Sequence, residues 1–332
     1  MGPAALAAPL AVSIGDPAGV GPEIIAAAWE QRNTAGLPPF LAIGDARAIR
    51  AVWDGPIATL SDPTHAAAAF AGALPLIQVD DPGEILPGQP NLPGARCALD
   101  SLELACGLAR QGMASALVTG PVAKSQLAAI GFSYPGQTEF VAERCGVAAA
   151  NAVMMLAGPS LRTVPLTVHV PLAEVPRLIS TELIVTRARI TARGLIRDFG
   201  IAAPRLAIAG LNPHAGESGT IGREEVEIIR PAIEQLHEDG IDVIGPLPAD
   251  TMFHAAARAR YDAALCTYHD QALIPLKALH FDDGVNITLG LPIIRTSPDH
   301  GTAFDIAGTG TASPGAMIAA IRMAADCAAR RR

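Results

Sequence analysis

Short apolar runs alternate with alanine-rich, partly polar stretches along the whole 332-residue chain. Runs of buried-strand type lie at 11–14, 40–43, 74–79, 116–119, 152–156, 206–209, 263–266 and 285–289. Between them, 222–238 predicts a helix with Val226, Ile229, Ile233 and Leu236 on one face. A second helix, 313–330, opens on Ser313 and Pro314, a start signal. Such alternation reads as an α/β protein with a mostly parallel sheet. The stretch 82–94, rich in proline and glycine, reads as a long connection, and no internal repeat is visible. The length suggests two α/β lobes, with a cleft between them as the expected site.

Composition narrows the function. Half of the residues are apolar and 17% are charged, which excludes disorder and a basic nucleic-acid-binding surface. A net charge of −8 argues against polyanionic partners but leaves room for a small anion in a locally basic pocket. The longest uncharged runs, 63–79 and 145–161, are broken by glycine and proline, so no membrane span is expected. No basic residue precedes Arg32 and Asp16 interrupts the apolar start, so no secretory leader is expected either. Five scattered cysteines without a CxxC pair fit a reducing cytoplasm. Only two of the 24 basic residues are lysines, Lys124 and Lys277, either by chance or because a compact ammonium is wanted there.

Four segments carry candidate chemistry. GDPAGVGPE, 15–23, follows a strand and opens a helix at Pro22, but is not the GxGxxG of a dinucleotide fold. Its backbone N–H groups can hold an anion, or its glycines can simply make a tight turn. TGPVAK, 119–124, and GQTE, 136–139, set polar groups at the carboxyl edge of a sheet, where α/β proteins bind ligands. Lys124 there either meets a phosphate or is a solvated first-turn lysine. His169, His214 and His269 each sit at or just past the end of an apolar run. One such histidine alone would be structural. Three in the same kind of place can converge on one metal and leave positions open for substrate. Asp250 and Asp270 are candidate partners of these imidazoles or proton acceptors. In the last segment, Lys277, Asn286 and Arg295 suit carboxylate or phosphate oxygens, although a solvated polar face would use the same residues.

The strings GDPAGVGPEI, TGPVAK, GQTEF, LNPHAGE, GPLPADTMF, YHDQALIPLK and GVNITLGLPIIRTSPDHGTA run in order from residue 15 to residue 303. Together they resemble the 4-hydroxythreonine-4-phosphate dehydrogenase family of pyridoxal 5′-phosphate biosynthesis. The resemblance implies two α/β/α lobes around a central cleft, similar to isocitrate and isopropylmalate dehydrogenases. It implies residues 1–125 with 297–332 as a first, discontinuous lobe, and 126–296 as a second with the metal ligands and dimer interface. It also implies a divalent metal (zinc, magnesium or cobalt) on His169, His214 and His269, within a homodimer whose subunits share each site. Substrate contacts would fall on Thr138, Lys277, Asn286 and Arg295, and NAD or NADP would bind outside a Rossmann motif, at residues not assigned. Two positions depart from the family pattern, which often has histidine at Gln137 and Ala123. Gln137 can donate a hydrogen bond to a substrate oxygen but cannot carry a proton.

The implied reaction is oxidative decarboxylation of a phosphorylated hydroxythreonine, with Lys277 and Arg295 binding anions and Asp250 a candidate for proton handling. A related dehydrogenase of four-carbon sugar-acid phosphates, such as threonate 4-phosphate, is the nearest alternative. A nicotinamide-independent metal hydrolase or lyase, or a silent phosphate-ester-binding protein, would use some of the same residues.

Overall fold

The structure, a computed structural model, describes residues 6–79 and 83–331. Pro82, where the expected connection begins, lies outside the described residues. The chain divides into two compact units, Met1–Ala149 with Leu291–Arg332, and Ala150–Gly290. Relative to the expected lobes, 126–149 and 291–296 fall in the first unit. The physical reason is local: the helix Lys124–Ala129 packs on Leu92–Arg110, and Arg295 bonds to Thr119.

In the first unit the strands are β1 (Leu10–Ser13), β2 (Phe40–Gly44), β3 (Ile57–Thr59), β4 (Leu74–Gln78) and β5 (Ala116–Thr119). The second unit supplies β6 (Val153–Gly158), β7 (Leu161–Pro165), β8 (Arg205–Ala209), β9 (Asp242–Leu247), β10 (Ala263–Cys266) and β11 (Val285–Leu289); the chain then returns to the first with β12 (Arg295–Pro298). The first unit's order is β3-β4-β2-β1-β5-β12, with parallel neighbours throughout. Its central strands β1, β2 and β5 are buried along their whole length, as continuous apolar runs in a covered parallel sheet should be. The helix Leu92–Arg110 packs on β1 and β2, and Gly315–Arg330 packs on β5 and β12. Asn91 caps the former by accepting from the Gly94 N–H at 2.7 Å.

The second unit's order is β11-β6-β7-β10-β8-β9. Its β11-β6-β7 part is antiparallel, and β7-β10-β8-β9 is parallel. Its long helix Thr181–Phe199 starts on a Ser180 cap and stops at Gly200, whose φ of 69° only glycine takes without cost. The predicted helix at 222–238 forms as a wide π-type turn, Glu225–Ile229, running into Arg230–Glu238, and buries Ile229, Ile233 and Leu236. Among the described residues, no helix is long and apolar enough to cross a membrane.

Candidate functional site

In the 15–23 segment the N–H groups of Asp16, Ala18, Gly19 and Val20 are engaged within the protein. The Ala18 N–H bonds to Asp16 Oδ1 at 3.0 Å, the Gly19 N–H to the Asp16 carbonyl, and the Val20 N–H to the Thr302 carbonyl. Asp16 is buried, and that burial raises its carboxyl above the ordinary range despite the bond from Ala18. Gly15 has φ 74°, and a Cβ there would collide with the Pro121 carbonyl. The Gly15 end of the segment is a tight turn.

At the carboxyl end of β5 the first unit gathers a polar cluster. Arg295 starts β12, a strand of polar sequence whose four residues are nonetheless all buried. Its guanidinium donates to Thr119 Oγ1 at 2.7 Å and to Thr138 Oγ1 at 3.4 Å. Burial lowers its pKa to about 10, with the Glu139 carboxylate acting in the opposite direction, so the side chain stays cationic at neutral pH. Thr138 and Gln137 open the helix Gln137–Arg144. Gln137 Nε2 donates to the Gly120 carbonyl at 3.2 Å, while its buried Oε1 accepts no hydrogen bond. Such an orphaned acceptor, beside a cation steered by two hydroxyls, suits a ligand carrying both an anionic group and a donor. Lys124 is exposed and flanks Gly136 together with Glu139: a Cβ at Gly136 would stand 3.9 Å from the Lys124 Nζ and 3.3 Å from Glu139 Oε2. Ala123 sits at the N-cap of the Lys124–Ala129 helix and offers it no side-chain cap. Sequence reasoning found Arg295, Thr138 and Gln137 but missed the role of Thr119, whose only signal was its place at a strand end.

In the second unit, the rings of His169 and His269 lie 5.6 Å apart. They line a cavity of about 240 Å³ with Thr167, Leu172, Tyr268 and Asp270. His269 opens the helix His269–Leu279, and its Nδ1 meets Asp270 Oδ1 at 2.7 Å. His214 Nδ1 likewise meets Glu217 Oε1 at 2.7 Å, and this carboxylate, with a smaller contribution from Asp250, raises the His214 pKa. In both residues the carboxylate orients the ring and leaves Nε2 for another partner, the arrangement common to metal-binding histidines. Each of these two rings therefore has the chemistry of a divalent-cation ligand. Asp270 takes the expected partner role, whereas Glu217 went unnoticed although its i+3 spacing from His214 was legible. Among the described residues, no group of three or more His, Cys, Asp or Glu side chains is placed to hold a metal ion. His169 and His269 are brought together; His214 does not complete a three-ligand group with them.

His214 belongs to an unusual turn. His214, Ala215, Gly216, Glu217 and Ser218 all have positive φ, between 42° and 76°. Four of the five bear a Cβ, so the turn is costly and needs anchors. Buried Glu225, in the π-type turn, supplies one: its carboxylate accepts from the Asn212 N–H at 2.7 Å and from Asn212 Nδ2 at 3.0 Å. The helix places Lys277 eight residues beyond His269, about 12 Å along its axis, where it is half-buried. Asn286 lies on β11 with a buried Oδ1 that accepts no hydrogen bond. Among histidines read as structural, His237 bonds the Val243 carbonyl at 2.8 Å. His280 joins Ser160 Oγ at 2.8 Å to Asp283 Oδ1 at 3.2 Å and ties the β6-β7 hairpin to the end of a helix.

A buried arginine held by threonines and carboxylate-backed imidazoles stand beside the carboxyl ends of strands, the edge at which α/β proteins bind ligands. Comparisons with known proteins narrow this class. The family model described as pyridoxal phosphate biosynthetic protein PdxA matches residues 37–324. A protein of Erythrobacter litoralis named 4-hydroxythreonine-4-phosphate dehydrogenase is 60% identical over 328 residues, 97% of either chain. A protein of the same name from Zymomonas mobilis is 57% identical over 323 residues, covering 97% of this chain and 96% of its own. The crystal structure of a Klebsiella pneumoniae protein of that name superposes with a TM-score of 0.87 at 36% identity, covering 97% of this chain and 98% of the other. The chain belongs to the PdxA family, and it is an oxidoreductase.

Proposed function

We propose that the chain catalyses the metal- and NAD(P)-dependent oxidative decarboxylation of 4-phosphohydroxy-L-threonine to 3-amino-2-oxopropyl phosphate, releasing CO2 and NAD(P)H. The observation that carries this reading is the match, over nearly the whole chain, to relatives named for that dehydrogenase. When bound, a divalent cation supplies positive charge against the developing charge on the substrate's C3 oxygen, and the nicotinamide accepts the C3 hydride. His169, His214 and His269 would hold the cation, with Asp270 and Glu217 fixing two of the rings through their Nδ1 atoms. Arg295, steered by Thr119, binds a substrate anion, and Thr138 and Gln137 take up neighbouring oxygens or donors. Lys277 binds a second anionic group, and Asn286 turns its unused Oδ1 toward a donor of the substrate. Asp250 is assigned to proton handling. Oxidation at C3 leaves a ketone β to the carboxylate, and that carboxylate departs as CO2. The same reading assigns a cytoplasmic homodimer whose subunits share each site.

A second substrate stays open because residue 137 is an uncharged glutamine, a departure from the histidine that the family resemblance implies there. Gln137 Oε1 accepts from a hydroxyl in place of the substrate's amino group, as in threonate 4-phosphate, as well as from the amino group itself. The deciding experiment assays a panel of four-carbon phosphorylated acids with NAD and with NADP, in the presence of zinc, magnesium or cobalt. Reduced nicotinamide should accumulate fastest with 4-phosphohydroxy-L-threonine. Turnover without reduced nicotinamide under every combination would sink the dehydrogenase reading, and a faster rate with threonate 4-phosphate would replace its substrate.

A further inference from the structure

The hairpin tip of the second unit carries side chains that the proposed dehydrogenase chemistry leaves unused. Pro159 and Ser160 alone join β6 to β7, since Gly158 pairs with Leu161. Ser160 is exposed there, and its Oγ lies 2.8 Å from His280 Nε2. His280 directly follows the helix His269–Leu279; its N–H donates to the Leu276 carbonyl at 2.7 Å, and its carbonyl accepts from the Gly284 N–H at 3.0 Å. That turn sets Asp283 Oδ1 3.2 Å from the ring's other nitrogen, Nδ1. Gly158 makes the approach possible, because a Cβ there would collide with the His280 ring. The Ser160 N–H, which can only donate, points at Nε2 over 3.2 Å. Nε2 is therefore the unprotonated nitrogen of the neutral ring, and the proton sits on Nδ1, on the side of Asp283. The Ser160 hydroxyl faces the same bare nitrogen, and Arg258 Nη1 donates to its Oγ and, at 3.3 Å, to the Ser160 carbonyl. The hydroxyl thus stands between a base for its proton and a cation for the charge left behind, with a carboxylate behind the base. These are the roles around an activated serine nucleophile.

We infer that Ser160, His280 and Asp283 form a hydrolytic site that cleaves small, activated carboxylic esters. Ser160 Oγ attacks the ester carbonyl carbon while its proton passes to His280 Nε2, and Arg258 faces the oxyanion that forms. The bond from that carbon to the leaving oxygen breaks, the alcohol departs with the proton from Nε2, and an acyl-serine remains. Water, losing a proton to the same nitrogen, attacks the acyl carbon; the carboxylic acid leaves and Ser160 regains its proton. The sum is ester and water to acid and alcohol, with nothing oxidised or reduced.

The test incubates the full-length protein with p-nitrophenyl acetate, without nucleotide, and follows nitrophenolate release beside fragment spectra of the acid-quenched protein. Expected are repeated turnover and an acetyl group on Ser160. Diisopropyl fluorophosphate should phosphorylate the same oxygen with loss of fluoride and stop the hydrolysis. Ser160→Ala should lose the adduct and the turnover together. His280→Gln should slow release about 100-fold or more, as removal of a general base does, and Asp283→Asn should slow it as well. No hydrolysis above buffer, acetyl groups on lysines or cysteines alone, or full activity in Ser160→Ala would each overturn the inference. So would a Ser160 adduct that forms equally fast in His280→Gln. The adduct map of the wild-type protein decides even where a variant fails to fold.

Discussion

Arg295 is almost fully buried, yet it starts a strand and donates to the hydroxyls of Thr119 and Thr138. A guanidinium oriented by hydroxyls presents its fork in a fixed direction to a ligand anion. Thr119→Val removes its 2.7 Å acceptor and lets the fork drift. The expected loss is about 1.5–3 kcal/mol, read as roughly a 10- to 150-fold lower kcat/KM with little change in thermal midpoint. Steady-state kinetics beside a melting curve separates this from simple unfolding, and a rate unchanged within twofold would show that Thr119 does not position Arg295. Lys277→Ala should cost about 2–4 kcal/mol, roughly 30- to 1,000-fold in kcat/KM, and Lys277→Arg should recover only part, since a planar fork does not replace a compact ammonium. A Lys277→Ala enzyme within threefold of wild type would remove that lysine from the site. The chemistry-bearing types at strand ends were legible in the sequence. Their partners, Thr119 176 residues before Arg295 and Glu225 beyond Asn212, were not, because hydrogen bonds across the fold leave no periodic trace.

Among elements, each of the eight predicted apolar runs became a strand, because a strand covered on both faces must be apolar throughout. β3, β7, β9 and β12 escaped notice for separate reasons. β7 carries Arg162, and β9 is interrupted by Gly245 and Pro246. β12 reads RTSP, a polar string buried because Arg295 meets threonines and Thr296 Oγ1 donates to the Ala320 carbonyl at 2.9 Å. The left-handed turn at His214 was invisible too, since nothing in Pro-His-Ala-Gly-Glu-Ser demands positive φ at five successive residues. Its anchor makes a prediction: Glu225→Ala leaves the half-buried Asn212 N–H without its acceptor and should destabilise the fold by about 1–3 kcal/mol. Bound metal should fall along with the thermal midpoint if that turn presents His214; unchanged metal content in a destabilised variant would show that it does not. At the start of β8, Asp262 accepts from the Arg205 N–H at 2.8 Å and pairs with its guanidinium at 3.2 Å. Burial pushes this carboxyl up, but the Arg205 bonds and charge outweigh it and hold its pKa below the ordinary carboxylate range. A depressed folded-state pKa means stability present above the ordinary carboxylate range and lost as pH falls through the folded value. Denaturant midpoints should therefore fall less for Asp262→Asn than for wild type between neutral pH and pH about 3; equal losses would assign the acid sensitivity elsewhere.

At the scale of the whole molecule the question is which chains supply one metal's ligands. One chain sets His169 and His269 with ring centres 5.6 Å apart, while no three-ligand group forms among its described residues. The proposed homodimer takes His169 and His214 from one subunit and His269 from the other, and subunit mixing tests that division directly. His169→Ala and His269→Ala chains should each be inactive alone and hold less metal, while His237→Ala, which alters a bond to a backbone carbonyl, should keep its metal. In a mixed dimer one site receives both substitutions and the other receives neither, because its ligands come from the intact part of each chain. Random exchange at equal concentrations makes half of the dimers mixed, with one restored site of two, so activity and bound metal should recover to about a quarter of wild type. If His169 and His269 serve the same metal within one chain, every mixed dimer keeps one defect per site and nothing returns. No recovery after subunit exchange confirmed by mass would therefore assign the 5.6 Å pair to a single-chain site and remove the shared one.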